Sequence, residues 1–554
     1  MSSLYTSKFF KTLSDKKNPN QAQDDGSNTT YGKTQKISSV IASYDGVWEE
    51  KQILHLLRRS LFGVTSENYK YFAKLSLKES LDILLKQSPF PQPPLNTYNN
   101  DSYTDPDIPY GETWVNCTSN TGNFNSLRMN SLYAWWIGLM VGQDYSLTQK
   151  MTLFWHNHIA CELDSTYDAR SSYGYVAVLM KHALGNYKEL MLDITVCPGM
   201  LEYLSGNESV ADAPNENYSR EMQELFTVGK GPDSHYTQDD INAAARILTG
   251  WTTTANGMKT IYNAAVHDNG DKVFSAFYNN TVIKGRSGKE SAHEMVELID
   301  MIFTTKETAR HTCRCIYRWF VNCNIDSNIE KGIIIPLSEI LIKNNFEIVP
   351  VMRALLESAH FYDPVNIGSQ IKNPVDFLVG ACRQFYATGA GLDLNKQFAG
   401  CWEVADHLKA QAMRPGDPPN VAGWPAYYLS PSYGRLWINS DSLVQRHNAV
   451  DSHISAHTDS HFIFDTVTFT SSCTDAANAD QLIIHTTNLL SPISFDMTQT
   501  ALLKKLLDSP GSVWSELWSA YIADPTDTEK RRKIALHLEP FYKYILKQPE
   551  CHLM

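Results

Sequence analysis

Apolar residues recur at helical spacing along most of this chain. In "VWEEKQILHLLRRSLFG", Ile53, Leu56, Leu57 and Leu61 share one helical stripe that stops at Gly63. "TSENYKYFAKLSLKESLDILLKQ" continues the period, and from Asn125 onward helix follows helix. "KESAHEMVELIDMIFT", "KETARHTCRCIYRWFV" and "VPVMRALLESAHF" are amphipathic in the same way. Ser146 with Gln149 has capping-box spacing before "MTLFWHNH". Thr237 with Asp240 has it before "DINAAARILTG", with Gly250 as the stop.

Three stretches break the period. "PFPQPPLNTYNNDSYTDPDIPYG" and "MRPGDPPNVAGWPAYYLSPSYGRLW" are long loops, a length that compact proteins often reserve for function. "TIYNAAVHDNGDKVFSAFY" has the pattern of a β-hairpin turning at Asn269-Gly270. The predicted fold is therefore mainly α: one large multi-helix body with a small β-hairpin insertion at about 258–284. Residues 1–45, rich in Ser, Asn, Gln, Asp and Lys, predict a mobile, disordered tail. Residues 46–454 then form the helical core with the candidate site, and 455–554 a C-terminal helical segment packed on it.

Composition narrows the function classes. The chain has 554 residues, 43% hydrophobic and 11% aromatic, and a net charge of −12. No Lys/Arg stripe suggests a nucleic-acid footprint. The longest apolar run, "LYAWWIGLMVG", falls short of the roughly 20 residues of a membrane span. No apolar h-region opens the chain, which predicts a cytoplasmic location. The ten cysteines form no framework. Cys313, Cys315 and Cys323 are the closest group, and their spacing matches no familiar zinc pattern, so reduced structural thiols are expected.

Three segments carry candidate chemistry. In "LFWHNHIACEL", His158 shares a stripe with Leu147, Met151 and Phe154 and is expected to face the core. His156 lies about 160° away and is expected toward the surface, unless the helix ends near Asn157. "NENYSREMQELFTVG" places Tyr218, Met222, Leu225 and Phe226 on one face and Glu216, Arg220, Glu221 and Glu224 on the other. That polar face is either a solvated set of ion pairs or a carboxylate pair, Glu221 and Glu224, held by Arg220. In the hairpin, Asp268 would oppose Asp271 and His267 would oppose Lys272, and a cation would relieve the facing aspartates. Arg246 and Trp251 frame a helix end, and Trp424, Tyr427, Tyr428 and Trp437 make an aromatic loop that either stacks on a ligand or plugs the core. His453 and His457 have metal-like i,i+4 spacing, but they lie outside these segments and no site is expected there.

"HLLRRSLFG", "FWHNHIA", "ALGNYKELMLDITVCPGMLEYL", "NENYSREMQELFTVG", "YTQDDINAAARILTGW", "HDNGDK", "IKNPVDFLVGACR" and "PPNVAGWP" occur in the order of a large bacterial family, domain of unknown function 1800 (DUF1800). The chain resembles that family from about Ile53 to its C-terminus, and "QPECHLM" is similar to the ending of Bacteroidetes members. The resemblance implies no established activity. It implies a possible partner, a sulfatase-like protein of the DUF1501 family, and an exported location as the alternative. "WHNHIACEL" is faintly similar to a haem-peroxidase segment, without that family's other motifs.

Two functions follow as expectations. The first is a metal-assisted enzyme, a hydrolase ahead of an oxidoreductase, with His156, His158, Glu221, Glu224, His267 and Asp268 as ligands or acid–base groups. Zn, Fe or Mn suits those donors, and Arg220 and Lys272 would orient carboxylates or bind an anionic substrate. The second is a non-enzymatic scaffold or chaperone for the DUF1501 protein. If one site exists, the three segments must converge.

Overall fold

The computed structural model describes residues 40–554 apart from 101, 120–123, 255–258, 388–391, 455–460 and 509–512. Most of the tail expected at 1–45 lies outside the described residues. Its last residues are tied down: Tyr44 N–H donates to Glu357 O at 2.8 Å and Ile41 N–H to Gly332 O at 3.2 Å.

The helical periodicity gives helices. Those that matter for the site are α1 (Glu50–Ser60), α2 (Asn125–Val141), α3 (Thr148–His158), α4 (Ala169–Lys181), α5 (Glu216–Glu221), α6 (Gln238–Ile247), α7 (His293–Phe303), α8 (Lys306–Phe320), α9 (Pro374–Gln384), α10 (Leu394–Ala410) and α11 (Ser442–Ile454). Their apolar faces join one contiguous core running from Ile53 to Leu553. α10 lies along α2, α3 packs on α4 and α8, and α9 bridges α2, α10 and α11. No described helix is long and apolar enough to cross a membrane.

The Thr237–Asp240 capping box forms as expected. The one at Ser146 does not: α3 starts at Thr148, and Ser146 Oγ instead accepts from Thr148 N–H at 3.1 Å.

The hairpin expectation needs correction. β1 (Trp251–Thr253) pairs antiparallel with β2 (Thr260–Tyr262), and β3 (Lys272–Val273) with β4 (Val282–Ile283). Asn269-Gly270 lies between the two pairs and turns neither of them. A 3-10 turn at Ala264–Val266 separates β2, which pairs with β1, from the "HD". Asp268 and Asp271 therefore do not face each other. Asp268 takes a bidentate bond from Arg246 at 2.6 and 2.8 Å, while Asp271 pairs with Lys284 at 2.6 Å.

Candidate metal centre

His156 and His158 leave α3 in opposite directions, as residues two apart on a helix must. His156 is not at the surface; it is fully buried. Its Nε2 accepts from Gly416 N–H at 2.9 Å. Its Nδ1 lies 2.9 Å from Tyr175 Oη, whose hydroxyl donates to Ile159 O at 2.7 Å. Both ring nitrogens are thus engaged, and burial holds the imidazole neutral, with a pKa lowered to about 3. Asn157 continues the same contact, accepting Trp424 N–H at 3.0 Å. Gly423 sits at φ +79°, where a Cβ would meet Asn157 O at 2.2 Å, so the chain must be glycine to come this close. His156 and Asn157 therefore anchor the Gly/Pro-rich loop. Tyr427 of that loop stacks on Trp319 at 4.2 Å and Trp424 is buried, so these aromatics plug the core.

His158 points the other way, to the end of the α5 segment. There the helix widens into a π turn, Met222–Thr227, closed by Val228 N–H to Gln223 O at 3.0 Å. The last carbonyls of any helix lack partners within it. Here two imidazoles supply them: His158 Nε2 lies 3.0 Å from Phe226 O, and His311 Nε2 lies 3.0 Å from Leu225 O. The Tyr187 hydroxyl also donates to Phe226 O. Gly229, at φ +77°, turns the chain away; a Cβ there would lie 2.3 Å from His311 Nδ1.

His311 belongs to α8, and Cys315 follows one turn later on the same face. Cys315 Sγ lies 3.8 Å from His311 Nε2. His158, His311 and Cys315 each offer a ligand atom, all within 4.8 Å of one another. His158 is buried and the other two are partly exposed. Burial alone would push the Cys315 thiol up, but the His311 and His158 imidazoles outweigh it and hold the thiol well below its ordinary range. Burial likewise opposes a proton on His311, yet the neighbouring sulfur raises its pKa.

The other expected site residues take separate partners. The π turn shifts Glu224 off the i+4 position from Arg220. Arg220 instead binds Glu216 at 3.0 Å and Gln238 at 2.9 Å, and Glu224 pairs with Lys230. Glu221 is half-buried, and burial followed by the charge of Glu224 raises its pKa. His267, Lys272 and Glu294 form a fully buried set. His267 Nδ1 donates to Thr249 O at 2.9 Å, its Nε2 lies 3.3 Å from Glu294 Oε2, and Lys272 donates to that same carboxylate. Tyr278 bridges this region to the π turn through Gln223 Oε1 at 2.7 Å. The three segments are thus neighbours, but among the described residues only His158 of the expected ligands belongs to a three-residue ligand group.

Sequence reasoning passed over His311 and Cys315. Their i,i+4 spacing inside "ARHTCRCIYRW" puts imidazole and thiol on one helix face, and that was a readable signal.

Searches against curated proteins and against solved structures returned no match. The family model described as "Protein of unknown function (DUF1800)" matches residues 55–551, nearly the whole chain, and the protein belongs to that family.

Proposed function

We propose that the protein is a metal-dependent enzyme whose centre is His158, His311 and Cys315, with hydrolysis as the leading reaction class. The observation that carries this reading is the mutual approach of three ligand atoms, from two helices distant in sequence, within 4.8 Å. Ligands about 2.0–2.3 Å from a tetrahedral ion sit about 3.3–3.7 Å apart, so small rotations close the set. Three protein ligands leave a fourth position for water or substrate, the arrangement of catalytic rather than structural zinc. A metal there would activate water or polarise a carbonyl or phosphoryl oxygen.

The residues around the centre support the reading. Phe226 O accepts from His158 Nε2, which leaves Nδ1 as the lone-pair nitrogen, and a carbonyl behind a ligating imidazole fixes its orientation. His311 Nε2 faces both Leu225 O and Cys315 Sγ, so ion binding there exchanges its proton and its carbonyl bond for a ligand bond. A thiolate with two imidazoles is a soft donor set. It favours zinc, makes manganese a poor candidate, and is also the donor set of trigonal copper sites, which keeps oxidation as the second reaction class.

Elemental analysis of untagged protein, followed by assay of the metal-loaded form on chromogenic esters, phosphates and sulfates, tests this reading. Loss of one equivalent of bound zinc in both Cys315→Ser and His158→Ala, together with turnover that follows that equivalent, is the expected result. A metal-free protein that takes up no zinc or copper on reconstitution overturns the centre. Turnover abolished by alkylation of Cys315 but indifferent to metal makes the thiolate a nucleophile instead.

A further inference from the structure

A second group of ligand-type side chains lies on α10 and α11, outside the centre described above. Glu403 and His407 are one turn apart on α10, so both project from one face toward α11. His453 of α11 meets them there. One ligand atom from each lies within 4.8 Å of the others. The His407 and His453 rings are 5.3 Å apart and cross at 65°, and His407 Nε2 is 4.0 Å from Glu403 Oε1. His453 is buried, while Glu403 and His407 are partly exposed, so one side of the group opens to solvent.

The chain around the group orients these atoms. His453 Nδ1 donates to Phe462 O at 2.7 Å. That bond fixes the tautomer in which Nε2 carries the lone pair, the same carbonyl-behind-imidazole arrangement that orients metal-ligating histidines. On the other side, His461 N–H donates to Glu403 Oε2 at 3.2 Å. Phe464 N–H returns to His453 O at 2.8 Å, which ties the segment 461–464 to the end of α11.

We infer that Glu403, His407 and His453 form a second site for a divalent transition metal, chemically distinct from the first. Two imidazoles and one carboxylate, without sulfur, suit zinc. An ion there ties α10, α11 and the segment 461–464 together. A tetrahedral ion brings a nitrogen and an oxygen ligand to about 3.3 Å, so the 4.0 Å pair closes by a modest side-chain rotation.

Cobalt substitution of the full-length protein separates this site from the first. Thiolate ligation to cobalt(II) gives charge-transfer absorption in the near ultraviolet, whereas a nitrogen–oxygen site shows only ligand-field bands. In a Cys315→Ser background, which removes the sulfur, titration is expected to leave one tight equivalent of cobalt with ligand-field bands alone. Adding His407→Gln or Glu403→Gln, both at partly exposed positions, should abolish that equivalent, and zinc should raise the Tm of the Cys315→Ser parent but not of these double variants. Circular dichroism of each variant checks that it is folded. No cobalt bound in the Cys315→Ser background, or binding unchanged by both substitutions, overturns the second site. The metal content of Cys315-containing protein with His407→Gln reports the first centre independently, so failure of one site leaves the other standing.

Discussion

His158 Nε2 lies 3.0 Å from the carbonyl oxygen of Phe226, a bond between the end of α3 and the π turn that follows α5. It joins two of the three segments whose polar residues the helical pattern left without local partners. Through it, one unpaired helix-end carbonyl and one imidazole on an apolar stripe satisfy each other. The same bond turns the remaining nitrogen of His158 into a candidate ligand beside His311 and Cys315.

His156→Ala is expected to destabilise the fold more than His158→Ala. It strips Gly416 N–H of its buried partner, at about 1–3 kcal/mol, and takes one of two partners from the Tyr175 hydroxyl, which keeps Ile159 O. His158→Ala leaves Phe226 O bonded to Tyr187, so its cost should stay near the low end of that range. Urea denaturation midpoints compare the two. A larger loss for His158→Ala would contradict the account of the loop anchor.

The His156 pKa of about 3 also predicts acid sensitivity. In the unfolded chain this imidazole takes up its proton near pH 6.5. Between about pH 6.5 and 3 the unfolded state therefore binds more protons than the folded one. The stabilisation is complete above the unfolded pKa and is lost as pH falls, by up to about 4–5 kcal/mol from this residue. Stability measured from pH 7 to 4 should fall more steeply in the parent than in His156→Gln, which carries no titrating group there.

Lys272 and Glu294 form an ion pair wholly removed from water, with His267 packed against the same carboxylate. Lys272→Met leaves Glu294 buried without its cation and should cost about 3–5 kcal/mol. Lys272→Met combined with Glu294→Leu removes both charges and should be milder than the single change. A double-mutant cycle by calorimetry or denaturant unfolding checks the order.

Cys315 should alkylate at pH values where ordinary thiols are inert, because the two imidazoles favour its thiolate. Buried Cys313, two residues away, has its thiol pushed up and should stay unmodified. Peptide mass spectrometry after brief iodoacetamide treatment locates the adduct. Preloading with zinc should slow the reaction at Cys315 if the centre binds metal.

Gly229→Ala should weaken metal binding at the first centre without replacing a ligand. Its left-handed backbone costs a β-carbon about 1–2 kcal/mol, and that carbon would press on His311 Nδ1. Reduced zinc affinity with a small fall in Tm is the expected pair of results. Unchanged affinity would place His311 outside the centre.

Much of this molecule is legible in one dimension. The 3.6-residue period determined the helices, the Thr237–Asp240 spacing determined a cap that forms as expected, and His158 on an apolar stripe does turn inward. The His311–Cys315 pair was equally legible, since a helix alone puts residues four apart on one face. Only the tertiary structure decided which faces meet. His156 read as a surface residue because its partner, Gly416, is 260 positions away and donates through its backbone, which no side-chain pattern records. The π turn after Glu221 shifted Glu224 from Arg220 to Lys230, and the strands pair so that Asn269-Gly270 falls between the two pairs. Periodicity reports which residues an element buries, because that follows from local geometry and the drive to remove apolar surface from water. It does not report what a buried polar atom bonds to, because that partner arrives through packing between distant parts of the chain, and the candidate centres of this protein are built from such partners.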